Sequence, residues 1–182
     1  MYGNLYIVAT PIGNLNDISK RAIDTLNSVD LIAAEDTRVT SKILNHYKIK
    51  NKLISYNDFN ENSKYKYLLE LLKEDKKIAL VSDAGTPCIS DPGYRIVNAA
   101  TKLGSKVVSI PGPSSVIAAL SISGLPTDKF YFEGFLPKKK GRQKRLSYLK
   151  DINGTIVIFE SPHRLLKTLN DINSILGNRV VS

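Results

Sequence analysis

Five short apolar runs, Leu5–Ala9, Asp30–Ala34, Lys52–Ser55, Lys77–Val81 and Lys106–Ile110, recur through the first 122 residues with amphipathic segments between them. Parallel strands need a crossover and a helix supplies it, so this alternation predicts repeated βα units around a largely parallel sheet. The intervening segments carry helical stripes. Ala22, Ile23, Leu26 and Val29 share one face of Ser19–Val29, and Ile96, Val97, Ala100 and Leu103 share one face of Gly93–Leu103. With 182 residues, 42% of them hydrophobic, the chain can bury one large core or two small ones.

The periodicity stops at GLPTDK, residues 124–129, which reads as a linker between a first domain (1–123) and a second (130–182). The second begins with FYFEGF as an alternating strand, then a helix over Gly141–Lys150 and a buried strand over Thr155–Phe159. A further helix follows, with Ser161 as its N-cap, Pro162 at its first position and Leu165, Leu169, Ile172 and Leu176 in register. The last residues, NRVVS, look like the start of another strand, so the second domain is expected to be incomplete and the native chain to continue. A single cysteine, Cys88, excludes an intramolecular disulfide framework, and no Cys/His cluster has metal-ligand spacing. The N-terminus lacks both a basic region and a long apolar stretch, so a cytoplasmic protein without signal peptide or membrane span is expected. The net charge of +9 is uneven: residues 1–129 contribute +3 and residues 130–182 contribute +6.

In open α/β sheets, ligands sit beyond the carboxyl ends of the strands. Four connections there have unusual composition: TPIGN after the first strand, EDTR after the second, SDAGTP after the fourth and PGPSS after the fifth. Their glycines permit close backbone approach, and all four are expected to converge on one crevice. Neither G-x-G-x-x-G nor a P-loop pattern is present, so a Rossmann dinucleotide or P-loop nucleotide site is not supported.

Taken together, LYIVATPIGNLNDIS, AAEDTR, VSDAGTPCISDPG, SIPGPSS, SGLPTDKFYFEGFLP and FESPHR resemble the ribosomal RNA small-subunit methyltransferase I family, a branch of the tetrapyrrole methylases. The resemblance implies two α/β domains with S-adenosylmethionine in the cleft between them, a homodimer, and methylation of a cytidine ribose 2′-hydroxyl in small-subunit ribosomal RNA or the 30S particle. Carried over by motif, Pro11, Asp83, Ala84, Gly85, Pro87, Ser114, Ser115 and, from the second domain, Phe132 would bind the cofactor. TPIGN and DAGTP stand where tetrapyrrole-modifying relatives resemble G-x-G-P-G-D-P and G-D-P, which argues against a tetrapyrrole or corrinoid substrate.

Lys138, Lys139, Lys140, Arg142, Lys144, Arg145 and Lys150 fall between Gly134 and Lys150 with no acid among them. Such a run offers RNA phosphates a salt-sensitive handle, and Arg38 and Arg164 would position further phosphates. Attack by a ribose hydroxyl requires its proton to be removed. Asp36, Glu160 and His163 are the candidate bases, and the sequence does not rank them. A corrinoid methyltransferase of the same fold and a non-catalytic RNA-binding assembly module are the competing readings.

Overall fold

The structure, a computed structural model, describes residues 2–182 and divides into two compact units, one ending at Ser115 and the other Val116–Ser182. In the first, β1 (Asn4–Val8), β2 (Leu31–Ala34), β3 (Leu53–Ser55), β4 (Ile78–Val81) and β5 (Lys106–Ile110) form an all-parallel sheet in the order β3-β2-β4-β1-β5. Each expected strand is present to within a residue at either end. The connecting helices are α1 (Lys20–Ser28), α2 (Thr37–His46), α3 (Glu61–Lys73) and α4 (Tyr94–Leu103), and α5 (Ser115–Ile122) begins where the units divide. Ser19 caps α1 by accepting the Ala22 N–H.

The strand order explains the layering. Connections from β1 to β2 to β3 run one way across the sheet, and those from β3 to β4 to β5 run back. Right-handed crossovers in opposite directions place their helices on opposite faces. One core accordingly joins Val8, Ile32, Ala79, Val81 and Ile110 to Ala22 and Leu26 of α1 and to Ile43 and Leu44 of α2. The other joins Leu5, Ala33, Ile78 and Leu80 to Leu68 and Leu72 of α3 and to Ile96 and Ala100 of α4. Successive residues of β2 and β4 therefore feed different cores, and both strands are buried throughout.

In the second unit, β6 (Phe130–Phe135) and β7 (Thr155–Phe159) pair in parallel, with a register break between Phe132 and Gly134 that leaves Glu133 on a bulge. The β7 side chains are half-buried, not buried as the sequence suggested. Helices α6 (Arg142–Lys150) and α7 (Leu165–Leu176) close a small core of Leu136, Leu146, Leu149 and Leu176. Two expectations fail here. Ser161 makes no side-chain cap; Pro162–Arg164 forms a short 3-10 turn instead, organised by the Glu160 carboxylate, which accepts the Ser161 N–H at 2.7 Å and Arg164 Nη2 at 2.6 Å. Residues 178–182 form no strand. Residues 179–182 instead line an apolar cavity of about 350 Å³ with β7 and α7.

Candidate functional site

At the carboxyl end of the five-stranded sheet, four loops are bonded to one another. Thr10 and Gly85 exchange backbone hydrogen bonds at 2.9 and 3.0 Å, tying the end of β1 to the loop after β4. Thr10 Oγ1 donates to Ser82 O, and Thr86 Oγ1 donates to Pro113 O, which brings in the loop after β5. The loop after β2 joins through carboxylates: Asp83 Oδ1 accepts the Asp36 N–H at 2.9 Å, and Glu35 Oε2 accepts the Asp83 N–H at 3.3 Å. The expected convergence of strand ends is present within this unit.

The glycines in VSDAGTPCISDPG have a backbone cause. Between Ser82 and Gly93 the chain adopts positive φ at Gly85 (92°), Cys88 (71°), Ser90 (64°) and Gly93 (141°). A Cβ on Gly93 would lie 2.5 Å from Cys88 Sγ and 2.8 Å from Leu80 Cδ2, so only glycine fits at the entry to α4. Gly85 also has a role the sequence did not show: its N–H and C=O both bond to Thr10, joining the end of β1 to the loop after β4.

Electrostatically the frame is unbalanced. Burial pushes the Glu35 carboxyl up, the Asp83 N–H opposes it, and the charges of Asp91, Asp83 and Asp58 push it further. Asp91 is raised by burial and by Asp83 and Asp58, against a hydrogen bond with Ser82; Asp83 is raised by burial and by Asp36, against the Asp36 N–H and Arg38. Asp36 differs: the Arg38 side chain and N–H beside it hold its carboxyl down at about 2. Arg38 reaches Asp36 Oδ2 at 2.6 Å with its side chain 87% exposed. Of the remaining cofactor candidates, Pro11 and Pro87 are buried, Ala84 and Ser115 are exposed, and Ser114 is half-buried. Phe132 lies half-buried on β6 in edge contact with Phe159, 5.0 Å between ring centroids. Sequence reasoning passed over Glu35 and Asp91, although both stand in the quoted motifs. Two more acids in loops already rich in acid were the available signal.

The basic run separates into two groups. Lys138, Lys139, Lys140, Lys144 and Lys150 are exposed, and the first two, with Lys144 and the unforeseen Lys167 of α7, line a groove of about 560 Å³. Arg142 does not belong with them. It falls in register with Leu146 and Leu149 on the buried face of α6, bonded to Asp171 Oδ2 (2.8 Å), Thr168 Oγ1 (2.6 Å) and Pro137 O (3.2 Å). Arg145 is also committed, to Glu133 Oε1 at 2.5 Å and the Tyr131 hydroxyl at 2.6 Å. Neither is a free phosphate handle, because Glu133 and Asp171, outside the run in sequence, meet it in space.

The candidate bases differ as sharply. Glu160 has both oxygens engaged, by Ser161 N–H and Arg164 on one and by the Thr168 hydroxyl at 2.6 Å on the other. Burial raises its carboxyl, but Thr168, Ser161, Arg164 and Arg142 together bring it below the usual range. His163 is exposed in the 3-10 turn after β7.

Residues 4–181 match the tetrapyrrole (corrin/porphyrin) methylases. Over 179 residues the chain is 55% identical to the ribosomal RNA small subunit methyltransferase I of Thermotoga maritima, covering 98% of this chain and 81% of that one. The chain belongs to this family. It is 54% identical over 181 residues to the enzyme of that name from Halalkalibacterium halodurans, covering 99% of this chain and 63% of the relative. For the Escherichia coli O157:H7 protein of the same name the identity is 52% and the coverage 96% and 62%. The chain thus spans a little over three fifths of the length of those two methyltransferases. In fold it matches uroporphyrin III C-methyltransferase from Thermus thermophilus, with a TM-score of 0.67 at 17% identity over 97% of this chain and 78% of that one.

Methyltransferases of this family use S-adenosylmethionine, which carries a sulfonium, an ammonium and one carboxylate. A net cation suits the donor set: burial raises Glu35, Asp83 and Asp91, neighbouring carboxylates raise each of them further, and they lack a buried cationic partner among the described residues.

Three substitutions have defined expected outcomes. A carboxyl raised in the folded state favours folding at low pH, and that contribution is lost as pH climbs through its folded value. Asp91→Asn should therefore raise the melting temperature at pH 7, with the gain vanishing below about pH 4. No pH-dependent gain would show the carboxylates to be balanced already. Arg142→Ala should lower the unfolding free energy by about 3 kcal/mol in urea titration, because it leaves the Asp171 carboxylate without its cationic partner. Lys139→Ala should stay within about 0.5 kcal/mol of the parent.

Proposed function

We propose that the chain catalyses S-adenosylmethionine-dependent methylation of a cytidine ribose 2′-hydroxyl in small-subunit ribosomal RNA. The observation that carries this reading is the bonded, carboxylate-rich frame at the sheet's carboxyl end in a chain more than half identical to methyltransferases named for that RNA. A cytoplasmic homodimer acting on the 30S particle or its RNA belongs to the same reading.

In this reading Pro11, Asp83, Ala84, Gly85, Pro87, Ser114 and Ser115 hold the cofactor, with Glu35 and Asp91 adding negative charge around it. When bound, S-adenosylmethionine supplies an electrophilic methyl group on a sulfonium. The protein's own work is then to align the acceptor and take its proton. Asp36 is a weak proton acceptor because Arg38 holds its carboxyl at about 2, and Glu160 is weak because Thr168, Ser161 and Arg164 occupy its lone pairs. His163 is the remaining candidate, exposed on the turn after β7 with neither ring nitrogen engaged by a carboxylate salt bridge among the described residues. Exposed Lys138, Lys139, Lys140 and Lys144 offer the RNA backbone its phosphate contacts, with Arg38 and Arg164 the further positions for phosphate.

His163→Ala should slow methyl transfer to small-subunit RNA by about 10²–10⁴-fold. Calorimetric affinity for S-adenosylmethionine should hardly change. A variant with parental turnover would remove His163 from the chemistry, and absence of cofactor binding by the parent would leave a non-catalytic RNA-binding module.

A further inference from the structure

We propose that Tyr148, backed by the Arg145 guanidinium, is a stacking platform for an unpaired RNA base; this rests on the RNA reading above. Tyr148 projects from α6 and is 49% exposed although it is a large aromatic residue. The Arg145 guanidinium carbon lies 4.8 Å from its ring centroid and 5.8 Å from that of Tyr131. The two tyrosine rings meet edge to face, 6.1 Å apart at 65°.

Arg145 is fixed in place rather than mobile. Its Nε meets Glu133 Oε1, its Nη2 meets the Tyr131 hydroxyl, and the Glu133 side chain is only 4% exposed. A buried carboxylate thus neutralises the guanidinium and sets its plane, and that plane in turn holds the Tyr148 ring. A base docking on such a ring finds a flat, rigid surface and loses little side-chain entropy. Splayed-out bases of single-stranded RNA are held by aromatic rings and guanidinium planes in this way. Exposed Lys144 stands four residues earlier on the same helix, so it shares a face with Tyr148 about 6 Å along the axis. A phosphate handle and a base platform therefore adjoin. Arg145, read from sequence as a phosphate contact, acts instead as the backing of that platform.

Stacking and phosphate contact leave different signatures, because only the second depends steeply on salt. The probe is a single-stranded RNA of about ten nucleotides carrying 2-aminopurine, whose fluorescence is quenched by stacking, titrated into the full chain at several salt concentrations. Tyr148→Ala should weaken binding about tenfold and relieve the quenching while leaving the salt slope unchanged. Tyr148→Phe should behave as the parent, which separates loss of the ring from loss of fold. Lys144→Gln should do the opposite of Tyr148→Ala, lowering the slope by roughly 0.7 with quenching retained. Parental affinity and quenching in Tyr148→Ala would overturn the platform while leaving the RNA reading intact. Failure of the parent to bind the oligonucleotide would overturn both.

Discussion

The first unit depends on two reciprocal hydrogen-bond pairs across its strand ends. Thr10 and Gly85 exchange backbone bonds, and the loops after β2 and β4 exchange carboxylate-to-amide bonds through Asp83 and Glu35. Bonds to a charged acceptor contribute about 1.5–3 kcal/mol, against roughly 1 kcal/mol for neutral ones. The carboxylate pair thus provides much of the local rigidity, and it does so by placing negative charge where burial disfavours it. The loop Ser82–Gly93 adds four positive-φ residues, two of them not glycine. Strain and charge stored together in one loop raise its free energy unless a ligand with complementary charge relieves part of it.

The second unit handles charge differently. Its buried charges are paired internally, Arg142 with Asp171 and Arg145 with Glu133. Glu160 organises the turn after β7 through three bonds. Among the exposed residues are the lysines of the basic run, His163 and the half-exposed Tyr148. Cationic chemistry faces outward here, and anionic chemistry gathers at the strand ends of the first unit. A substrate rich in phosphate and a cofactor of net positive charge match that division.

Much of this was legible in the sequence. The parallel sheet followed from apolar runs spaced by helical stripes, because burial on both faces leaves short continuous apolar strands. The convergence of TPIGN, EDTR, SDAGTP and PGPSS followed from strand parallelism alone, since it puts every loop that leaves a strand at the same end of the sheet. Which basic residues are free did not follow, because Glu133 and Asp171 reach the run only through the β6 bulge and α7. Arg142 could have been recognised by its helical register with Leu146 and Leu149. The use of Gly85 to join β1 and β4 was not legible, since an isolated bridge between two loops leaves no periodic trace.

The central claim is that the strand-end carboxylates hold a cationic cofactor, and Asp83→Asn tests it with little disturbance. Asparagine keeps an oxygen to accept the Asp36 N–H, and the Asp83 main-chain N–H to Glu35 is untouched, so the brace survives while the charge goes. Calorimetric titration with S-adenosylmethionine, paired with thermal melting at pH 7, should give a melting temperature no lower than the parent's, because the raised Asp83 carboxyl costs stability there, and an affinity lower by about tenfold, or 1.4 kcal/mol. Equal affinity in parent and variant would contradict the account.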